Sequence, residues 1–390
     1  MALFEYTGFD WKIALTTVAM IIFAAAEIYA YQISQGKLFP WVNLAVSVMI
    51  IAALWIPVEF LQMILLDISA LVLVAWVWTQ DKKAGKLFLT AVIIGSVFVA
   101  LGMVIGGFFN EQANHFDGMR AKIVIYLILV GFAFKLAAVP FSFWLAPLSE
   151  GTSVMTSVLV ISLLDIAEFG ELVLLRVEAP WIFSSAAWIW IMLALLSMFG
   201  GALLALSQTN VRRILAFSTI DDFGYLMLGL AAGSVGGILG AIIGVLSHSL
   251  CKFLLFGAVG IAEDDVKHPL SLEDRGLAGR HPVAGAAFIT GALGMIGIPP
   301  LLGFLGRWRL YFSGIEAGGD ILVIVMAGAT ALALLYYVRV IHKVWLGQNS
   351  GNSNPISKRY RWIDVTFIII IALLLVAGIF PKILPGWGGR

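Results

Sequence analysis

The segment KLAAVPFSFWLAPLSE, residues 135–150, places a lysine, two prolines and a glutamate inside a long apolar stretch, about 121–156. A lysine near the bilayer centre costs about 2.5–3.5 kcal/mol on insertion scales, so a purely structural helix would avoid it. Pro140 removes a backbone donor, which predicts that the helix breaks there. A broken membrane helix is tolerated only inside protein or beside a watery cavity, so the segment predicts an internal polar path. The alternative is a kinked helix whose Lys135 snorkels over a long distance to the interface.

The composition is that of a polytopic membrane protein. Of the 390 residues, 61% are hydrophobic and 12% are charged, whereas a soluble domain has about 45–50% apolar and 25% charged residues. The net charge of +1 gives no reason to expect a nucleic-acid partner. Cys251 is the sole cysteine, which excludes a disulfide framework and a cysteine-bound metal cluster. No phosphate-binding loop or metal-spaced histidine pair is present, so we expect no cofactor.

The apolar stretches predict an all-α fold with about twelve transmembrane helices, since each span needs about 20 apolar residues. We expect one transmembrane domain over residues 1–390, and the first apolar stretch is interpreted as a spanning helix rather than a cleaved signal. The predicted spans are 13–32, 40–57, 58–79, 87–109, 121–147, 152–176, 182–206, 212–232, 236–262, 283–314, 321–346 and 363–380.

Lysine and arginine are unevenly distributed between the connections, which predicts an orientation. The connections after odd-numbered spans hold most of them, whereas those after even-numbered spans hold little beyond Arg120, Lys122 and Arg176. The odd-numbered connections are therefore predicted to be cytoplasmic, with both termini outside.

A weak internal repeat divides the chain. Pro140 lies in the fourth of the five spans within about 40–176, and Pro299 and Pro300 lie in the fourth of the five within about 182–346. Because five is odd, the second set would enter the membrane from the opposite side. This predicts two inverted five-helix repeats, flanked by helices 13–32 and 363–380, with sites near the broken helices.

Several spans carry charges far from their ends, and their spacing places some on one helix face. Glu59 and Asp67 are eight residues apart, and His248 and Lys252 are four apart. The candidate path residues are Glu59, Asp67, Lys135, Asp165, Glu168, His248, Lys252 and Arg307, the last just beyond the double proline; Glu171 lies in the same span as Asp165. Titratable groups on several helices without a cofactor motif are typical of a proton path. Structural ion pairs are the alternative.

Five segments in order resemble the antiporter-like membrane subunits of respiratory complex I, over about residues 58–385. They are FKLAAVPFSFWLAPLSEGTSVMTSVL, SQTNVRRILAFSTIDDFGYLMLGLAAG, SHSLCKFLLFGAVG, GIPPLLGFLGRWRLYF and AGIFPKIL. That family also includes subunits of membrane-bound hydrogenases and of multisubunit cation/proton antiporters. Its members commonly have fourteen helices, so the resemblance implies that the first two are missing here.

The resemblance implies proton translocation in the inner (plasma) membrane, coupled to a peripheral redox arm on other chains. The chain would be non-catalytic for redox by itself, would need no cofactor, and would contact other membrane subunits and lipids. Three alternatives remain open. They are a cation/proton antiporter subunit, a structural subunit that no longer pumps and, more weakly, a subunit of a carbon-uptake complex.

The resemblance also assigns roles to individual residues. Lys135 matches the lysine of the first broken helix, whose glutamate partner corresponds to Glu59 or Asp67. His248 and Lys252 match the ninth-span pair. Two residues depart from the family pattern, because Asp165 and Arg307 stand where the family has lysines. Arginine does not deprotonate in proteins, so Arg307 is expected to act as a fixed charge or gate.

Overall fold

The computed structural model describes residues 10–107, 118–347 and 360–381. Most of these residues are helical, with two short π-helical turns at Leu159–Leu164 and Ile341–Trp345 and a single isolated β-bridge. The helices are α1 Trp11–Gln32, α2 Phe39–Trp55, α3 Glu59–Gln80, α4 Lys82–Gly106, α5 Gly118–Lys135, α6 Leu145–Gly151, α7 Val154–Val158, α8 Asp165–Glu178, α9 Pro180–Ser184, α10 Ala187–Ser207, α11 Val211–Ala232, α12 Val235–Val266, α13 Leu277–Arg280, α14 Pro282–Ile296, α15 Leu302–Val340 and α16 Arg361–Ile379.

The all-α membrane fold is confirmed, whereas the count of twelve spans stays a prediction. In the described part of the chain, 8 helical segments are long and apolar enough to cross a membrane. α2 and α14 are apolar but shorter. The segment Leu302–Trp345, which includes α15, covers the end of the predicted span 283–314 and nearly all of the predicted span 321–346. Gly319 has a non-helical backbone inside it, with φ 66° and ψ −162°. Glycine adopts this conformation without a steric penalty, so the chain can change direction there.

α11 and α12 form the centre of the molecule. Their apolar windows are 100% and 94% buried, compared with 39% for α1 and 33% for α16. Charged side chains within these buried windows must therefore be accommodated by other protein groups.

Small residues let two helix pairs approach closely. A Cβ on Gly131 of α5 would lie 2.6 Å from Val99 Cγ2 on α4, and one on Gly201 of α10 would lie 2.5 Å from the Asp221 backbone nitrogen on α11. Small residues at such contacts are the usual means by which membrane helices pack. The two contacts position Lys135 and Asp221 against neighbouring helices.

The first helix break lies where Pro140 predicts it. α5 ends at Lys135, and α6 begins only at Leu145. Trp144 Nε1 donates to the Phe134 carbonyl at 3.1 Å, and the Val139 N–H donates to Ser197 Oγ at 3.2 Å. The protein thus satisfies part of the exposed backbone itself, which buried irregular structure requires.

The second break lies at the double proline. α14 ends at Ile296, where Gly297 adopts a left-handed conformation with φ 84°, and α15 begins at Leu302. Arg307 Nη2 donates to the Met295 carbonyl at 2.8 Å. The arginine thereby satisfies a carbonyl at the C-terminal end of α14, which carries partial negative charge.

The connections after odd-numbered spans lie on one face, which we call the odd-loop face. Gln35 accepts from the Met155 N–H at 3.1 Å, and Gln80 accepts from the Ser153 N–H at 2.7 Å. Further contacts between such connections are Arg213–Glu150, Arg212–Glu263 and Tyr360–Asp264. The opposite side is called the even-loop face. Residues 348–359 and both chain termini lie outside the described residues, and the direction of insertion stays a prediction.

Candidate functional site

Lys135 is the centre of a buried ion-pair cluster at the first helix break. Its Nζ lies 3.1 Å from Asp67 Oδ1 on α3 and 3.0 Å from Glu171 Oε2 on α8. The side chains of Lys135 and Glu171 are 2% and 4% exposed. Lys135 therefore does not snorkel to the interface, and its charge is neutralised inside the protein.

The structure places Asp67, rather than Glu59, beside Lys135. Ser96 on α4 donates to Asp67 Oδ1 at 2.7 Å and holds the carboxylate toward the lysine. Glu59 begins α3 near the even-loop face, where its carboxyl group lies within hydrogen-bond reach of Glu178. The two acidic residues of α3 thus belong to different environments.

α8 supplies two further carboxyl groups to this region. Glu168 lies within electrostatic range of Lys135, and Glu171 is hydrogen-bonded to it. Glu168 Oε2 and Glu171 Oε1 have no hydrogen-bond partner among the described residues. One ammonium group therefore faces three acidic side chains including Asp67, and the surplus carboxyl groups are suited to exchanging protons. Sequence reasoning placed Glu171 in the span but not in the candidate path.

Asp165 lies between the first cluster and the centre of the molecule. It begins α8 directly after the π-helical turn Leu159–Leu164, a feature often found at functional sites. Its side chain is within electrostatic range of Glu168 on one side and Lys252 on the other. It is not among the ion-pair partners of Lys135 in the described part of the chain. Its position is that of a bridge between two clusters.

Lys252 lies at the centre of α12 and is 0% exposed. Its Nζ donates to the Leu215 carbonyl at 2.7 Å and to Ser218 Oγ at 2.6 Å, both on α11. No carboxylate of the described residues forms an ion pair with it, although Asp165, Asp221 and Asp222 lie within electrostatic range. The ammonium group is held by neutral groups between two acidic regions.

Asp222 joins His248 to Arg307 at the second break. Its Oδ2 lies 2.9 Å from His248 Nδ1, and its Oδ1 accepts from Arg307 Nη2 at 2.7 Å. The neighbouring Asp221 accepts from the Tyr336 hydroxyl at 2.8 Å. Neither aspartate was among the predicted path residues. Two adjacent carboxylates within the apolar run of α11 were the signal that could have identified them.

Arg307 is held as a fixed positive charge. Its guanidinium carbon lies 3.5 Å from the centroid of the Tyr225 ring, a close cation–π contact. A cavity of about 10 Å³ lies between it, Asp222, Ser247 and His248, a volume sufficient for about one water molecule. Arg307 can orient water and bias neighbouring charges, but it cannot carry a proton onward.

The charged residues form a row from the first break to the second. In order, the row contains Asp67, Lys135, Glu171, Glu168, Asp165, Lys252, Asp221, Asp222, His248 and Arg307. The described residues contain no group of three or more His, Cys, Asp or Glu side chains that could hold a metal ion. The arrangement is suited to proton transfer through side chains and intervening water.

Comparison with known proteins identifies similar sequences and folds. A family model described as NADH:quinone oxidoreductase/Mrp antiporter, TM matches residues 51–333. NADH-quinone oxidoreductase subunit N 2 of Acidobacterium capsulatum is 31% identical over 279 residues, which cover 68% of this chain and 56% of the relative. The match to NADH-quinone oxidoreductase subunit N of Salinibacter ruber covers 44% of that relative. The chain therefore spans about half the length of these two curated relatives.

Two solved complexes contain chains with a similar fold. A chain of the Mrp complex from Dietzia sp. superposes with a TM-score of 0.85 at 19% identity, covering 97% of this chain and 82% of that one. A chain of respiratory complex I from Thermus thermophilus gives a TM-score of 0.80 at 23% identity, with 98% and 90% coverage. At these identities the likeness concerns the fold alone.

Proposed function

The chain belongs to the NADH:quinone oxidoreductase/Mrp antiporter membrane family, and from this premise we propose that it translocates protons as a subunit of a redox complex. The observation that carries the proposal is the buried row of charges between two helix breaks. A row of this kind is costly inside a membrane protein and is otherwise hard to explain. Lys135 lies among carboxylates at the first break, and Lys252 lies between the two acidic regions of the row. Both lysines would alternate between holding and releasing a proton.

The proposed mechanism is a change of charge state along the row. Opening of the Asp67–Lys135–Glu171 cluster would change the field at Asp165 and hence at Lys252. Moving a neighbouring charge by a few ångströms at an effective dielectric near 20 changes the interaction by about a few kcal/mol. That is sufficient to transfer a proton between groups of similar affinity.

The proposed architecture has twelve membrane passes in one transmembrane domain. Residues of about 40–176 and 182–346 would form two inverted repeats, and each repeat contains one of the two helix breaks. The odd-loop face would be cytoplasmic in the inner membrane, with both termini outside. The fold likeness to chains of multisubunit complexes supports this arrangement.

The proposed assembly includes other membrane subunits and a peripheral redox arm on other chains. This chain would not itself catalyse the redox reaction. It would couple electron transfer on its partners to proton movement, because its row contains groups that hold protons but no cofactor-binding motif.

A second candidate function is that of a structural subunit without pumping activity. Arg307 is the observation that favours it, since a guanidinium fixed by Asp222, Met295 and Tyr225 blocks proton transfer at the second break. In that case the row would serve only to hold the helices together.

The test is to purify the complex through a tag on this chain and to reconstitute it in liposomes. With the electron donor of the co-purified redox subunit, we expect acidification or alkalinisation of the lumen in sodium-free buffer, abolished by a protonophore. Proton movement that requires a sodium or potassium gradient, and no electron donor, would instead identify an antiporter. Recovery without any redox subunit would contradict the redox assignment.

A further inference from the structure

A second cavity lies between α3 and α8, away from the Arg307 site. It is lined by Glu59, Gln62, Glu171 and Glu178 together with three apolar side chains, and its volume is about 10 Å³. This volume accommodates about one water molecule. Its lining residues extend from Glu171 of the first ion-pair cluster to Glu59 and Glu178 near the even-loop face, where α3 begins and α8 ends.

Two buried polar groups that line this cavity lack partners. Gln62 is 2% exposed and Glu171 is 4% exposed. Gln62 Oε1 and Glu171 Oε1 form no hydrogen bond with any described residue. An unpaired buried acceptor is costly unless water satisfies it, so both atoms indicate that the cavity is hydrated.

Carboxyl groups lie at both ends of the cavity. At the inner end, Glu171 Oε2 accepts from Lys135 Nζ at 3.0 Å. At the outer end, Glu178 is exposed and lies within hydrogen-bond reach of half-buried Glu59, with Lys12 of α1 also in electrostatic range. Glu171 and Glu178 are seven residues apart, so they lie on the same face of α8 and about 10 Å apart along its axis.

The second break does not offer an equivalent exit. Arg307 occupies that position and holds Asp222 and the Met295 carbonyl. Because a guanidinium does not release its proton, transfer to the even-loop face through this residue is blocked. A proton route from the row to the even-loop face must therefore leave the row at another residue.

We propose that the cavity lined by Glu59, Gln62, Glu171 and Glu178 is a proton branch that connects Lys135 to the even-loop face. The inference rests on the proposed function and specifies its route. A proton passes from the Lys135 ammonium group to the Glu171 carboxylate, then through cavity water to the Glu59–Glu178 pair, and finally to bulk water. No electrons move, and each donor is reset by a proton from the next group in the row.

The functional test compares two pairs of carboxyl substitutions on the even-loop face. The double variant Glu59→Gln and Glu178→Gln is expected to slow proton translocation about tenfold or more, since positioned acid–base groups accelerate transfer by at least that factor. The control is Glu316→Gln with Asp320→Asn, which are exposed and do not line the cavity, and it should retain the unmodified rate. Unchanged translocation in the first variant would overturn the branch.

A reference variant separates failure of the branch from failure of the proposed function. If Lys135→Met abolishes translocation per assembled complex while the Glu59 and Glu178 variant pumps normally, the row carries protons but not through this cavity. If Lys135→Met also pumps normally, the proposed function itself fails, and the branch fails with it.

Access to the cavity is tested independently of pumping. In a Cys251→Ser background, Leu174→Cys would line the cavity, whereas Leu172→Cys would lie in a fully buried position outside it. Silver ion applied from the even-loop face is expected to block later alkylation of the first thiol but not of the second. Equal protection of both thiols, or protection of neither, would contradict a hydrated route.

Discussion

Substituting Lys135 with methionine is expected to abolish proton translocation and to lower the amount of assembled complex. The change leaves Asp67 and Glu171 facing each other without a cation. Removing one partner of a buried ion pair costs about 3–5 kcal/mol, because the remaining charge stays buried and unpaired. The measurements are the number of protons moved per electron in reconstituted complex and the yield of this chain in the purified assembly.

A charge-neutral variant distinguishes the structural role of the cluster from its role in proton transfer. Adding Asp67→Asn and Glu171→Gln to Lys135→Met removes all three interacting charges and should restore assembly without restoring translocation. Lys86→Ala, an exposed lysine on α4, is the control and should change neither quantity. Normal translocation by the neutral variant would show that Lys135 is structural.

The second large effect is expected from Asp222→Asn. Asp222 is the carboxylate that neutralises Arg307, whose side chain is 8% exposed, and it also holds His248. Its loss leaves a buried guanidinium without its ion-pair partner, again at a cost of about 3–5 kcal/mol. We expect a lower midpoint of thermal unfolding for the detergent-purified complex and loss of proton translocation.

The double variant Asp222→Asn with Arg307→Met provides the matched comparison. Because both charges are removed, the thermal midpoint should recover most of its original value. Asp320→Asn, an exposed carboxylate on the even-loop face, should leave the midpoint unchanged. A single Asp222→Asn variant as stable as the unmodified chain would contradict the ion pair at the centre of the second cluster.

The sequence predicted those features that depend on charges or prolines inside apolar stretches. Three charged residues could be identified because they lie far from the ends of their apolar stretches, so that their side chains would not easily reach a headgroup region. They are Lys135, His248 and Lys252. The break at Pro140 followed from the missing backbone donor. These predictions needed only local physical chemistry, and the structure places all three residues in the interior.

The partner of Lys135 and the roles of Asp222 and Glu171 depend on tertiary contacts, which the sequence alone does not show. Glu59 and Asp67 share a helix face, and Asp67 lies beside Lys135 because Ser96 on another helix orients it. Asp222 and Glu171 gained their importance from partners that are 85 and 36 residues away in the chain. The adjacent carboxylates in α11 could have drawn attention to Asp222, but the local sequence contains no information about the partners of either residue.

The central claim, that the buried row carries protons, is tested most directly at Lys252. Methionine has a similar length, and no ion pair among the described residues is broken by the change, so the fold should tolerate Lys252→Met. The measurement is the number of protons translocated per electron by the reconstituted complex, with electron transfer assayed in parallel in the presence of a protonophore. We predict a lower proton-to-electron ratio with assembly and uncoupled electron transfer retained. An unchanged ratio would contradict the claim.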